Sequence, residues 1–131
     1  MASGYYKPCR ELEICNDLFD RYWEAGEYGR IFSGLLPLAE RGYPLAECQV
    51  GYFYTEGLGV ERDLDKALLW TRRAAEHGDR DGQFNLGCFC EEGTALVRDM
   101  DEAALWYRKA ARQGHAEAAQ RCRALGIDIE V

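Results

Sequence analysis

The chain has 131 residues, of which 47% are hydrophobic and 30% are charged, and its formal net charge is −7. This length fits a single domain, 1–131; no run approaches the ~18 apolar residues of a membrane span, and the acidic balance disfavours binding to nucleic-acid phosphates. The first residues lack the basic start and apolar stretch of a secretory signal, so we expect a cytoplasmic protein that inserts into no membrane.

The N-terminal region predicts a degenerate helical hairpin over residues 8–42. An amphipathic helix is expected from about residue 8 to residue 25, because apolar side chains recur there at spacings of three and four. A second, degenerate helix is expected over residues 28–41, where Ile31, Leu38 and Ala39 take the places that alanines hold in later units.

The centre of the chain contains an internal repeat. The segment from Gly57 to Gly78 aligns without a gap with the segment from Gly93 to Gly114, 36 residues later, and 11 of the 22 positions are identical. A fixed period of this length is typical of repeat architectures. We therefore predict two repeats, over residues 43–78 and 79–114.

The first helix of each repeat is expected to begin near Pro44 and near Asp79. Each contains a glycine near its middle, Gly51 or Gly87. Glycine costs about 1 kcal/mol relative to alanine in a helix, so its use twice in one register predicts that another helix crosses close to the backbone.

The second helix of each repeat has clear end signals. Asp63 and Asp99 are good N-caps, because a carboxylate accepts the free amide hydrogens of the first turn. Asp99 also has capping-box spacing with Glu102. Gly78 and Gly114 end these helices where a left-handed backbone is required.

Two tryptophans, Trp70 and Trp106, lie among alanines in these second helices. The small neighbours allow two helices to approach closely. We expect each indole to fill the wedge between one helix pair and the next, so that stacking of the pairs is needed for stability.

Residues 115–126 predict a closing helix, with Ala118 and Cys122 in register and no second helix after it. A solenoid ends in this way, with one helix covering the last open face. Residues 127–131 form a tail with alternating apolar residues. We expect it to fold back over the last repeat; the alternative is a short peptide ligand.

The spacing of small residues, tryptophans and loop glycines resembles the Sel1-like repeat, a relative of the tetratricopeptide repeat. The first repeat matches the family pattern closely, whereas the second has Gly82 for an alanine, Cys90 for a tyrosine and Ala95-Leu96 for the loop Gly-Val, which allows a reshaped loop. The signature positions are Ala46, Gly51, Tyr54, Gly57, Gly59, Asp63, Ala67, Trp70, Ala74, Ala75, Gly78, Gly87, Gly93, Asp99, Ala103, Trp106, Ala110, Ala111 and Gly114.

The resemblance implies an all-α fold: an αα-hairpin solenoid, a right-handed superhelix of about seven helices. It also implies an adaptor or scaffold, without enzymatic activity or cofactor, that holds a partner protein on the concave surface lined by the first helices. We expect a monomer or a weak homo-oligomer. An inhibitor or immunity-type protein that neutralises a toxin or enzyme is the alternative.

A β-lactam-binding hydrolase is a weaker alternative, since some secreted relatives of this family have a regular cysteine pair in each repeat. The six cysteines here do not follow the 36-residue period, which argues against that class and favours their use as small apolar residues. They are Cys9, Cys15, Cys48, Cys88, Cys90 and Cys122.

No residue set predicts catalysis or metal binding. His77 and His115 match no metal spacing, and Cys88 and Cys90, two apart on a helix, point in nearly opposite directions. Glu91 and Glu92 indicate a solvated helix end rather than an acid/base pair.

The candidate partner surface follows from the helical wheel of the two first helices. The candidate contact residues are those whose side chains point away from the inward stripe of each helix. An exposed aromatic among them would anchor a partner. For Tyr52 and Phe84 the alternative is packing against the neighbouring first helix. The candidate contact residues are Cys48, Tyr52, Thr55, Glu56, Phe84, Cys88, Glu91 and Glu92.

Overall fold

A computed structural model describes residues 6–130. Residues 1–5 and Val131, which the predicted domain and tail include, lie outside that range. The described residues form seven helices and no strand, which confirms the all-α solenoid. The helices are α1 (Arg10–Tyr22), α2 (Tyr28–Glu40), α3 (Pro44–Glu56), α4 (Leu64–Glu76), α5 (Arg80–Glu92), α6 (Met100–Arg112) and α7 (Ala116–Leu125).

Each helix packs on the next one along the chain, so the structure is a row of antiparallel hairpins. The helices α3 and α4 form one pair and α5 and α6 the next, with α1, α2 and α7 at the two ends. Within residues 6–130, none of the helices is long and apolar enough to cross a membrane.

The predicted helix caps are confirmed, except for half of the capping box. A carboxylate oxygen of Asp63 accepts a hydrogen bond from the Lys66 amide at 3.0 Å, and Asp99 accepts one from the Glu102 amide at 3.1 Å. Glu102 does not return the bond, because its carboxylate accepts from Arg72 at 2.9 Å. The Asp99 amide donates instead to the Cys90 carbonyl, at 2.9 Å.

Helix α1 is shorter than the predicted span from about residue 8 to residue 25. It ends at Tyr22, whose carbonyl accepts a hydrogen bond from the Glu27 amide at 3.0 Å. Gly26, with φ of +70°, turns the chain toward α2. The apolar spacing continues to Trp23, so helical periodicity alone did not locate this end.

The prediction of a close helix crossing at the two mid-helix glycines is confirmed. A Cβ on Gly51 would lie 2.7 Å from the Thr71 hydroxyl oxygen on α4, and a Cβ on Gly87 would lie 2.6 Å from the Tyr107 ring on α6. Thr71 and Tyr107 are themselves 36 residues apart. The same crossing therefore occurs in both repeats, against side chains of different size.

Both tryptophans are buried. Trp70 belongs to a core that extends from Leu12 of α1 to Phe89 of α5, so its indole joins two successive pairs. Trp106 belongs to a second core that includes Cys90 of α5 and Cys122 of α7. Each indole thus lies in a core that contains residues of neighbouring helix pairs, as the predicted wedge requires.

The second loop keeps the shape of the first despite its changed sequence. Gly59 has φ of +64°, and Ala95, at the equivalent position, has φ of +61°. Ala95 is the one non-glycine residue with a positive φ among residues 6–130. The loop is therefore not reshaped, and an alanine holds a backbone conformation that favours glycine.

The C-terminal tail folds back on the last repeat, as predicted, over its described residues 127–130. Ile127 and Ile129 pack against the second core. Arg108 donates a hydrogen bond to the Asp128 carbonyl at 2.8 Å, and Arg112 donates one to the Ile129 carbonyl at 2.8 Å.

Candidate functional site

A groove of about 420 Å³ lies between the first helices of the two repeats, α3 and α5. Five of the eight predicted contact residues line it: Tyr52, Thr55, Glu56, Cys88 and Glu92. Tyr52 is 44% exposed, so its ring is available to a partner. The structure thus brings most of the predicted surface together, while its use as a binding site stays a prediction.

The second helix of the first repeat also reaches the groove. Thr71 of α4 is one of the lining residues, and it lies against Gly51, which has no side chain to cover it. In the next repeat the larger ring of Tyr107 occupies this place against Gly87. The side chain at this crossing is therefore small in the first repeat and large in the second.

The ends of α3 and α5 supply charge at the rim. Glu56 and Glu92 are the last residues of these helices, both are exposed, and neither forms an ion pair within the described part of the chain. Arg62 is the one basic side chain among the described groove residues. Its Nε donates a hydrogen bond to the Thr55 carbonyl at 3.0 Å.

The inner wall of the groove is neutral. Asn85 and Phe89 of α5 line it beside Cys88. Burial raises the pKa of the Cys88 thiol, so the group stays protonated at neutral pH. The side-chain amide of Asn85 makes only a long, 4.0 Å contact to the sulfur of Cys48, which leaves it able to bond a partner's backbone.

Three predicted contact residues lie elsewhere. Cys48 is 7% exposed, so the expectation that it points outward is wrong. Phe84 is half-buried and stacks on the His115 ring, with 4.5 Å between centroids, which agrees with the packing alternative. Both residues are therefore covered by neighbouring helices.

Glu91 is the third predicted contact residue that lies outside the groove. It forms hydrogen bonds with side chains of its own repeat and of the closing helix α7. The Tyr107 hydroxyl donates a hydrogen bond to its carboxylate at 2.7 Å, and Arg121 of α7 donates one at 2.9 Å. These bonds, that from Arg121 foremost, hold the pKa of Glu91 below its usual value. The view of Glu91 as a solvated helix end is thus wrong, although its neighbour Glu92 is exposed.

Sequence reasoning missed several lining residues. Asn85 could have been found, because it shares a helix face with Cys88 and Glu92 at spacings of three and seven. Thr71 could not, because it lies on a second helix and reaches the groove only through the gap at Gly51.

Two carboxylates outside the groove are buried and partnered. Glu47 is 1% exposed, and its carboxylate lies 2.6 Å from Nδ1 of His77. Asp79 accepts hydrogen bonds from the Tyr6 hydroxyl and the Gly82 amide, while burial raises the pKa of its carboxyl. Each joins separate segments of the solenoid. Among the described residues, no group of three or more potential ligands could hold a metal ion.

Comparison with known proteins gives one family match and several solved relatives. A model of the Sel1 repeat matches residues 44–79 and 80–115. A Sel1 repeat protein from Oxalobacter formigenes is 36% identical, with a TM-score of 0.78 over 90% of this chain and 45% of its own. The protective antigen c5321 of uropathogenic Escherichia coli, described as displaying an SLR fold, is 32% identical, with a TM-score of 0.77 over 88% of this chain and 24% of its own.

Two further matches are more limited. The cysteine rich protein B of Helicobacter pylori is 22% identical, with a TM-score of 0.66 over 86% of this chain and 96% of its own, and this likeness concerns the fold alone. The chitin synthase regulator SKT5 of Malassezia restricta is 51% identical over 41 residues, which are 31% of this chain and 3% of that protein. The chain thus spans less than half the length of the first two solved relatives and a small fraction of the regulator.

Proposed function

Because the chain belongs to the Sel1 repeat family, whose members generally act as scaffolds for protein–protein interactions, we propose that it is an adaptor that holds a partner protein in the groove between α3 and α5. The repeat fold is typically a non-catalytic interaction module. The proposal therefore assigns this chain a binding role and no reaction.

The exposed ring of Tyr52 is the observation that carries the proposal. Exposed aromatic side chains are frequent anchors in protein interfaces, where their burial supplies much of the binding energy. Here the ring lies at the edge of a groove whose volume falls within the roughly 300–1,000 Å³ of common binding pockets. The ring and the groove together offer a partner side chain a place to be buried.

The polar groups of the groove suit a peptide backbone. The Thr55 hydroxyl donates to the Gly51 carbonyl at 2.8 Å and keeps its acceptor sites for a partner amide. The Asn85 amide can both donate and accept. A partner segment that crosses the groove could thus satisfy its own amide groups while its side chains contact Tyr52.

We also propose that the protein is cytoplasmic, because its cysteine thiols are free. All six cysteines are free, and burial raises the pKa of the Cys90 thiol to about 11, which protects it from oxidation. Alkylation without reductant, followed by mass spectrometry of protein taken from its own cells, should count six thiols. A smaller count would contradict this assignment.

The adaptor proposal is tested with one groove variant and one matched control. Tyr52→Ala removes the exposed ring, and Leu69→Ala removes an apolar side chain of similar exposure, 48%, that does not line the groove. A partner identified by cross-linking mass spectrometry in the source cells is purified and titrated by calorimetry. We expect Tyr52→Ala to weaken binding by at least about tenfold and Leu69→Ala to leave it unchanged.

Equal affinities for the two variants would place the contact outside the groove and refute the proposal. If the partner is an enzyme whose activity falls on binding, the protein is an inhibitor that uses the same groove.

A further inference from the structure

The groove has a charge pattern that specifies the chemistry of its partner. We propose, on the basis of the proposed function, that it selects a basic protein segment, with arginine or lysine side chains placed beside Glu56 and Glu92. The sign, position and repetition of these two carboxylates support this proposal.

The two carboxylates occur at one register of the repeat. Glu56 is the last residue of α3 and Glu92 the last residue of α5, 36 residues later. The last carbonyl groups of a helix already bear partial negative charge, so a carboxylate there is unfavourable unless a cation compensates it. A partner cation would compensate two such sites at once.

The cations of the chain itself do not neutralise the groove. Glu91, next to Glu92, is paired with Arg121, whereas Glu56 and Glu92 have no ion pair within residues 6–130. Arg62, the basic lining residue, uses its Nε on the Thr55 carbonyl. Two glutamates and one arginine give the residues that line the groove a formal net charge of −1, in a chain of net charge −7.

The exposed ring of Tyr52 favours arginine in particular. It lies four residues, about one helical turn, before Glu56 on α3. A guanidinium can stack on an aromatic face while it donates two hydrogen bonds to a carboxylate. The field of an acidic chain also increases the rate at which a basic segment arrives.

The test uses twelve-residue peptides, labelled with fluorescein, built on alanine, serine and glutamine. One series contains two arginines at spacings of two to eight residues, a second contains glutamates at these places, and a third contains neither. Binding is measured by fluorescence anisotropy at low and at high sodium chloride, with wild-type protein and with two double variants.

The double variants differ only in position. E56Q/E92Q neutralises the groove, whereas E40Q/E76Q neutralises the last residues of α2 and α4, which are also exposed, also 36 residues apart and outside the groove. We expect at least one arginine peptide to bind wild-type protein, and E56Q/E92Q to weaken it by about tenfold at low salt. E40Q/E76Q should change the affinity by less than about twofold, and high salt should reduce the difference between the variants.

Several results would overturn the inference. The glutamate or neutral peptides could bind as tightly as the arginine peptides, or no arginine peptide could bind at all. The two double variants could also lose the same affinity for the arginine peptide. The inference can also fail while the proposed function stands: if the natural partner depends on Tyr52 but binds E56Q/E92Q as it binds wild type, the groove is the binding site and its charge does not select the partner.

Discussion

The two repeats have nearly the same backbone, yet the side chain that packs against the first helix differs between them. In the first repeat, the small Thr71 lies against Gly51 and a groove remains between α3 and α5. In the second, the Tyr107 ring fills the equivalent place against Gly87 and bonds Glu91. The repeated backbone thus places the same close crossing in both repeats, and the side chain at that crossing is small in the first and an aromatic ring in the second.

A second difference concerns the side-chain contact that joins the two helices within each hairpin. Glu47 contacts His77 at 2.6 Å, and at the equivalent positions Gln113 donates a hydrogen bond to Gln83 at 2.8 Å. The geometry is conserved between the repeats while the chemistry changes from a carboxylate with an imidazole to two amides. A polar link between the two helices of a hairpin occurs at this position in both repeats, and two different residue pairs supply it.

The largest expected effect concerns the cores on which both repeats depend. Trp70→Ala removes an indole that is 8% exposed in the core joining α3 to α5. We expect it to lower the free energy of unfolding by about 3–5 kcal/mol, as is usual for a buried aromatic, and the melting temperature by about 10 °C or more. Thermal unfolding followed by circular dichroism measures this.

Trp106→Ala is the matched variant in the second repeat. Its core includes residues of α5, α6 and α7 together with Ala75 of α4, so hydrogen exchange should show faster opening there, with α1 to α3 still protected. A melting temperature lowered by only a degree or two in Trp70→Ala would show that the indole does not hold the pairs together.

The next effect tests the two loops. At Gly59, φ is +64°, and a Cβ would overlap backbone atoms of Tyr28 and Gly29 at the start of α2. Left-handed backbone costs about 1–2 kcal/mol for a residue with a side chain, and the overlap adds about 1–3 kcal/mol as in other overpacked sites. We expect Gly59→Ala to lower the free energy of unfolding by about 2–4 kcal/mol, measured by urea denaturation.

Ala95→Gly is the reciprocal control. Ala95 already holds the left-handed conformation, so glycine relieves its strain but loses conformational entropy on folding. We expect a net gain of about 0.5 kcal/mol. A destabilised Ala95→Gly, or a harmless Gly59→Ala, would show that the two loops are not equivalent.

The sequence predicted the positions of the helices well because their signals are local. Asp63, Asp99, Gly78 and Gly114 act within one turn of the chain, and the 36-residue period repeats them. The sequence does not determine the shape of the second loop, because the cost of a positive φ at Ala95 competes with the packing of α5 on α6. Sequence alone does not decide that balance.

The groove could be predicted only in part. Tyr52, Glu56 and Glu92 followed from the helical wheel of single helices, and they line the groove. The burial of Cys48 and the pairing of Glu91 depend on helices that are 30 residues or more away along the chain, so no local pattern reported them. The inward stripe of a helix identifies one buried face, whereas a solenoid helix has neighbours on several sides.

The smallest expected effect tests how the second repeat uses Glu91. The equivalent residue in the first repeat is Thr55, which has no charge and lines the groove. The pKa of Glu91 is held below its usual value by Arg121 and Tyr107. A depressed pKa in the folded state stabilises the protein above the unfolded pKa, near the usual 4.5, and this stability is lost as the pH falls through the folded value.

Glu91→Gln should therefore lower the melting temperature at pH 7 by about 2–3 °C, and the two proteins should converge as the pH falls below 4. The effect stays small because the Arg121 side chain is 42% exposed and water screens the pair. Glu92→Gln removes the neighbouring carboxylate, which has no ion pair within residues 6–130, and should show no such convergence. If the two variants had the same pH profile, Glu91 would be as free as Glu92, and the second repeat would then offer a partner a more acidic edge than the first, which has Thr55 at the equivalent position.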